Sequence, residues 1–138
     1  MAWTGDGRFL FADTVKNEIY AFDLRVGKLT NRRLFAQPLG RGLPDGSTLD
    51  TAGCLWNCRV VGGGGIACFR SDGVLEQIVD VPCSWPTSCS FGGRNLATLY
   101  VTSARFTMTP RHLAENPCEG GVFSLDVGRC GRAEHRFG

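Results

Sequence analysis

The sequence predicts an all-β protein, a β-propeller arc of about three blades with one short inserted helix. Three observations lead there. Glycine supplies 19 of the 138 residues, nearly twice the usual ~7%, and without a collagen period such an excess means many tight turns. Apolar and aromatic residues come in short runs divided by turn residues, the pattern of strands. The pairs Leu10-Phe11, Leu55-Trp56 and Leu99-Tyr100 recur at spacings of 45 and 44 residues, the period of a four-stranded propeller blade.

The blades are expected at residues 1–45, 46–90 and 91–138. In the first, residues 8–13 and 18–23 are strands, Val26-Gly27-Lys28 is a tight hairpin turn, and residues 33–36 form the next strand. The second repeats the order. Residues 53–58 lead into 65–69, Ser71-Asp72-Gly73 makes the hairpin turn, and 75–81 follow as a strand. The third shows strands at 97–102 and 121–126. Between them Thr109 is an N-cap and Pro110 takes the first helical position, predicting a short helix over 110–115 that stops before Pro117. Helical repeats of similar period would not be so rich in glycine and β-formers. A propeller closes a ring of about four to eight blades, because each sheet buries its faces only against its neighbours. Three blades leave two open sides, so the chain is expected to belong to a larger ring or to complete one with a partner.

Charge excludes some functions. Fifteen basic and thirteen acidic residues give a net charge of +2, too little for the electrostatic footprint of a nucleic-acid binder. No apolar run approaches the ~18 residues of a membrane span, and the N-terminus lacks the layout of a signal peptide. The expectation is a soluble, cytoplasmic protein with neither a nucleic-acid nor a membrane partner.

Seven cysteines stand at 54, 58, 68, 83, 89, 118 and 130. The count is odd, no C-x-x-C pair occurs, and His112 and His135 are distant in sequence. Cys54 and Cys58 alone cannot supply the four ligands of a structural zinc site. Small buried hydrophobes are the expected role of these cysteines, with a Cys83–Cys89 pair as the alternative.

The most distinctive polar segment is Gly42-Leu43-Pro44-Asp45-Gly46-Ser47-Thr48-Leu49-Asp50. Two readings of it stay open. Pro-Asp-Gly suits a turn; alternatively Asp45 is an exposed carboxylate that binds a hard cation or takes a proton from water. Asp13 and Asp50, at strand ends, are expected to cap turns. Arg59 and Arg105 could bind an anion, but solvated or salt-bridged surface positions are the expectation for both. Gly62-Gly63-Gly64-Gly65 precedes a strand rather than a helix, which argues against a phosphate loop and for a flexible strand connection.

Together these segments resemble the senescence marker protein/gluconolactonase/luciferin-regenerating enzyme family, the regucalcin-like sugar lactonases. The resemblance runs through Ala2-Trp3-Thr4-Gly5-Asp6-Gly7, Ile19-Tyr20-Ala21-Phe22-Asp23 and Gly27-Lys28-Leu29-Thr30-Asn31-Arg32-Arg33. It continues in Leu43-Pro44-Asp45-Gly46, Gly53-Cys54-Leu55-Trp56 and Thr87-Ser88-Cys89-Ser90-Phe91-Gly92-Gly93. Leu99-Tyr100-Val101-Thr102-Ser103-Ala104-Arg105 and Gly120-Gly121-Val122-Phe123 complete it. Each match is weak alone; their order and spacing are specific.

The resemblance implies a six-bladed ring with one divalent cation in its channel, hydrolysing cyclic esters of sugar acids. By member the cation is calcium, zinc, manganese or magnesium, held by a Glu, two Asn or similar residues, and an Asp. Asp45 matches that Asp, as metal ligand and proton acceptor. The cation polarises the lactone carbonyl and lowers the pKa of bound water, while a carboxylate accepts the proton. The resemblance also implies an Asn-Gly directly before Met1-Ala2-Trp3, whose Asn is a ligand, and a Glu, a further Asn and substrate-binding residues in earlier blades. None has a counterpart here, and residues 59–65 form a connection about one residue longer than usual. The expectation is therefore the C-terminal half of a lactonase, keeping Asp45 as its one ligand for calcium or zinc, inactive alone, and partnered by the missing half. The alternatives are a non-catalytic module that binds metal or a partner, and a product that does not fold stably because its blade faces are open.

Overall fold

Strand-forming runs and glycine turns build three antiparallel sheets in the computed structural model, which describes residues 1–133. The first sheet orders β1 (Ala2–Trp3), β2 (Arg8–Asp13), β3 (Glu18–Arg25) and β4 (Lys28–Ala36) as a meander. The second does the same with β5 (Leu43–Leu49), β6 (Leu55–Val60), β7 (Gly65–Phe69) and β8 (Leu75–Asp80). In the third, β10 (Thr98–Ser103) lies between β9 (Pro86–Gly92) and β11 (Val122–Leu125). This sheet has three strands among the described residues where the repeat predicts four.

The expected punctuation is present. Val26 and Gly27 both take positive φ, 49° and 71°, and close the β3–β4 hairpin with the twist such two-residue turns require. The helix α1 spans Pro110–Glu115; the Thr109 hydroxyl accepts the His112 N–H at 3.2 Å, and proline opens the first turn.

Alternation along the strands sorts the core into two layers. β6 and β7 are buried at every position, which follows from burial on both faces. Leu55, Ala67 and Phe69 pack toward the first sheet against Leu10, Ile19, Ala21 and Ala36. Trp56, Cys58, Ile66 and Cys68 pack the other way, against Cys89, Phe91, Leu99 and Val101 of the third sheet. Trp56 meets Phe91 edge-on, with ring centroids 6.0 Å apart.

The first strand of each sheet faces the others. β5 packs between β1 and β9, so the sheets fan out from a common inner edge, as propeller blades do. The approach of β5 to β9 is close enough to require glycine at Gly46, where a Cβ would stand 2.5 Å from Ser88 Oγ and 2.6 Å from Ser88 Cα.

Both outer sheets keep one uncovered face. On the first, Trp3 and Phe11 are exposed and the Trp3 and Phe9 rings lie 4.3 Å apart. On the third, Tyr100 and Val122 are exposed. These two faces are left uncovered by the described residues.

Arg59 corrects the expectation of a surface position. It is 1% exposed, and burial lowers its pKa to about 10. It donates to Arg41 O at 3.1 Å, Gly42 O at 2.9 Å, Asn17 Oδ1 at 2.7 Å and Asn57 Oδ1 at 3.2 Å. One guanidinium thus links the β2–β3 turn, the strand-to-strand connection before β5, and β6. The glycine-rich β6–β7 connection is likewise clamped rather than flexible. Arg41 Nε donates to Gly63 O at 2.6 Å, and Gly62 N–H reaches Ser84 O at 3.1 Å.

Arg59→Met removes every donor from these four acceptors and is expected to cost about 2–4 kcal/mol, read as a lower urea midpoint at an unchanged m-value. Arg59→Lys, which keeps the charge without the planar fork, should fall between. A midpoint equal to that of the unaltered chain would disprove the bracing role.

Candidate functional site

Asp45 lies within a strand, which corrects the Pro-Asp-Gly turn reading. Pro44 pairs with Arg59 and Ser47 with Asn57, so Asp45 and Gly46 together oppose the single residue Cys58. This is a β-bulge, a device that bends a strand and re-aims its side chains. Proline is tolerated because β5 is the edge strand of its sheet. Chain reversal at Pro44 is disfavoured because Pro44, Thr48 and Leu49 are all buried along the extended path.

The bulge is held from β6. Asn57 Nδ2 donates to Asp45 O and to Ser47 Oγ, each at 2.9 Å, while its Oδ1 accepts from Arg59. Burial of Arg59 and Asn57 makes this chain of bonds directional and dry. On the other side Ser88 of β9 fills the space beside Gly46. Asp45 therefore sits on the middle one of three inner strands, with its backbone position set by two neighbours.

Its carboxyl is half-buried rather than exposed. Burial raises its pKa above the usual carboxylate range, while the Met1 α-ammonium and the Gly46 N–H favour the charged form. Asp45 has no ion-pair partner among the described residues. Cys58 and Cys89 stand close by. Cys58 is pushed far above the ordinary thiol range, by the neighbouring Cys89 thiol first and by burial second, so it is a neutral thiol there.

An unpaired, half-buried carboxylate suits one position in the coordination sphere of a hard cation. It does not make a site: calcium takes about six to eight oxygens, and Asn57, the nearest amide, already spends its oxygen on Arg59. The cavity between β1 and β5, lined by Met1, Ala2, Trp3, Ser47, Leu49 and Arg132, holds about 60 Å³, far below the ~300 Å³ of small-molecule sites.

The remaining candidates take structural positions. Asp50 caps its turn, accepting the Cys54 N–H at 2.8 Å and the Trp56 indole N–H at 3.1 Å. Asp13 accepts the Lys16 N–H at 3.2 Å. Arg105 is exposed, its stem laid across Gly120. His112 pairs with buried Glu119 at 3.3 Å, and His135 lies outside the described residues. All seven cysteines are free, so the Cys83–Cys89 pairing is not formed.

Sequence reasoning passed over Asn57. The available signal was an amide inside the apolar run Leu55-Trp56-Asn57-Cys58, a position that burial permits only with its hydrogen bonds satisfied.

The family profile described as SMP-30/Gluconolactonase/LRE-like region matches residues 1–105, a span that contains Asp45. The 6-deoxy-6-sulfogluconolactonase of Pseudomonas putida is 37% identical over 130 residues, 91% of this chain and 44% of its own. Regucalcin of Sus scrofa is 35% identical over 127 residues, 89% of this chain and 42% of its own. The crystal structure of regucalcin from Agrobacterium tumefaciens, a calcium-binding protein, matches with a TM-score of 0.90 at 30% identity, covering 96% of this chain and 46% of that one. The chain thus spans less than half the length of these relatives, and its three sheets are about three blades of their six-bladed ring. Profile, sequence identity and the course of the sheets agree: the chain belongs to the SMP-30/gluconolactonase/LRE-like family.

Proposed function

We propose that this chain forms part of a divalent-cation-dependent sugar-lactone hydrolase, in which Asp45 is one cation ligand and the proton acceptor. The observation that carries this reading is the unpaired, half-buried Asp45 carboxylate, fixed on a bulge at the inner edge shared by the three sheets. The relatives named as a sulfogluconolactonase and a calcium-binding regucalcin support the substrate class and the cation. In the reaction, water adds to the acyl carbon of an aldonolactone while Asp45 takes its proton; the ring C–O bond then breaks, the proton passes to the departing ring oxygen, and the free hydroxy acid results.

The other cation ligands, for calcium or zinc, come from outside this chain. The exposed aromatic face of the first sheet and the open face of the third are where the complementary three blades would dock, closing the ring. Seven unpaired cysteines agree with a reducing compartment, and we place the protein in the cytoplasm. A second reading, a non-catalytic module that binds metal or a partner, is favoured by the single carboxylate and by the uncovered faces.

Two experiments test the lactonase reading. The 138-residue chain alone should open an aldonolactone no faster than background at any calcium or zinc concentration. Joined behind the first three blades of the Pseudomonas relative, it should gain metal-dependent turnover, which Asp45→Ala lowers by about 10²–10⁴-fold. Turnover that survives Asp45→Ala would end the assignment.

The second test uses proton linkage. The folded state holds the Asp45 proton to higher pH than the unfolded state does. Below the ordinary carboxylate pKa both states are protonated and nothing is lost. Stability then declines as pH rises through the window up to the raised value, and stays reduced above it. Asp45→Asn should abolish that decline and raise Tm at neutral pH. A lower Tm at neutral pH would show that the charge is already compensated.

A further inference from the structure

The opposite end of the second sheet carries a different set of ligands. Cys54 stands just before β6, Cys68 near the end of β7, Glu76 on β8, and Asp50 just after β5. Cys54 and Cys68 lie on the same face of the sheet, the face that packs against the third sheet. Both thiols donate to a single oxygen, Glu76 Oε2, at 3.8 and 3.6 Å. The two sulfurs and an Asp50 carboxylate oxygen all lie within 4.8 Å of one another. Asp50, Cys54 and Cys68 are buried, at 1%, 6% and 0% exposure.

We infer that Cys54, Cys68, Glu76 and Asp50 form a binding site for a thiophilic divalent cation, zinc by chemistry, separate from Asp45. Two sulfurs bonded at ~2.3 Å to one tetrahedral zinc lie ~3.8 Å apart, and carboxylate oxygens at ~2.0–2.2 Å complete the set. Both sulfurs and an Asp50 oxygen already lie within 4.8 Å of one another, and exposed Glu76 brings Oε2 to 3.8 and 3.6 Å from the two sulfurs. Two S–H groups aimed at one carboxylate oxygen mark the place where a dication replaces two protons. That exchange leaves the charge of the site unchanged, so the surroundings that tolerate the protonated cluster tolerate the loaded one. Arg129 already offsets the two acids, with Nη2 2.6 Å from Glu76 Oε1 and Nη1 3.9 Å from Asp50 Oδ2. The support behind the ligands is built as well. Asp50 is oriented by the Cys54 N–H and the Trp56 indole, the kind of outer hydrogen bonding that fixes metal ligands.

The set evades motif searches because it is assembled from the β5–β6 turn, β7 and β8. Neither reading of Asp45 bears on it, since no ligand is shared. From Cys54 to Cys58, which faces the Asp45 bulge, the chain rises about 13 Å.

Burial holds both thiols above their ordinary range, so loading must expel their protons. Titration of the reduced chain with Co²⁺ should therefore produce a thiolate-to-cobalt charge-transfer band in the near ultraviolet that saturates near one equivalent. About two protons should be released per ion in weak buffer. Cys54→Ser and Cys68→Ser should each abolish the band, and Glu76→Gln should weaken binding by about tenfold or more. Cys118→Ser and Cys130→Ser, at exposed thiols, should leave the band intact. Zinc X-ray absorption on the unaltered chain gives a readout that no variant can spoil by misfolding: two sulfur neighbours at ~2.3 Å are expected. A cobalt complex without the band, a band that survives Cys54→Ser, or a zinc shell of oxygen alone would overturn the assignment. An oxygen-only shell would point to Asp45 instead, which keeps the two sites distinguishable.

Discussion

The position of Asp45 depends on a guanidinium that never touches it. Arg59 fixes Asn57, and Asn57 holds the Asp45 and Ser47 side of the bulge. The same Arg59 carries bonds to Asn17 in the first sheet and to the Arg41-Gly42 connection. Apolar contact between sheets is non-directional and only presses them together. Hydrogen bonds with defined donors and acceptors set how one sheet is rotated against the next. A buried cation with four neutral acceptors is costly to break and hard to misplace. Its desolvation moves the pKa only to about 10, so the guanidinium keeps its charge at neutral pH.

The second sheet bears the arc. Its middle strands are buried on both faces, whereas the first and third sheets each bury one. In stacked architectures each unit is stabilised mainly by its neighbours, so the middle sheet gains two interfaces and each outer sheet one. The Trp3–Phe9 contact and exposed Phe11 lie on the side where that second interface is lacking. Aromatic groups there bury little in this arc and much in a closed ring. The same geometry bears on the cation site proposed at Asp45. A channel at the common inner edge is lined by one strand from every blade, and three strands close only part of its circumference.

What was legible in the sequence was local. Short apolar runs, the Val26-Gly27 hairpin and the Thr109-Pro110 helix start all rest on backbone preferences that neighbours in sequence decide. Positions decided by tertiary contact were not. Pro44-Asp45-Gly46 has turn chemistry, yet burial of Pro44 and Leu49 keeps it extended, and the conflict resolves as a bulge. Arg59 looks solvated in a list of charges because its four acceptors come from residues 17, 41, 42 and 57. The β6–β7 glycines suggest slack, but Gly63 has no room for a side chain against the Arg59 backbone, and Arg41 pins their carbonyls. Asp45 stood out in the sequence as a carboxylate within a polar segment, and the resemblance assigned it a role; its surroundings had to be seen.

The two proposed cation sites divide hard from soft donors along β6. At the Cys58 end stand the Asp45 carboxylate and backbone oxygens, with Cys58 held neutral by the adjacent Cys89 thiol and by burial; a thiol that does not ionise is a poor ligand. At the Cys54 end two sulfurs converge on a carboxylate, a donor set that prefers zinc or copper(I) to calcium. Thiolate formation there needs a cation that competes with two protons, which calcium does not do. In the proposed ring, calcium at Asp45 and zinc at Cys54 and Cys68 would stay apart, the selectivity coming from which donors each end of one strand presents.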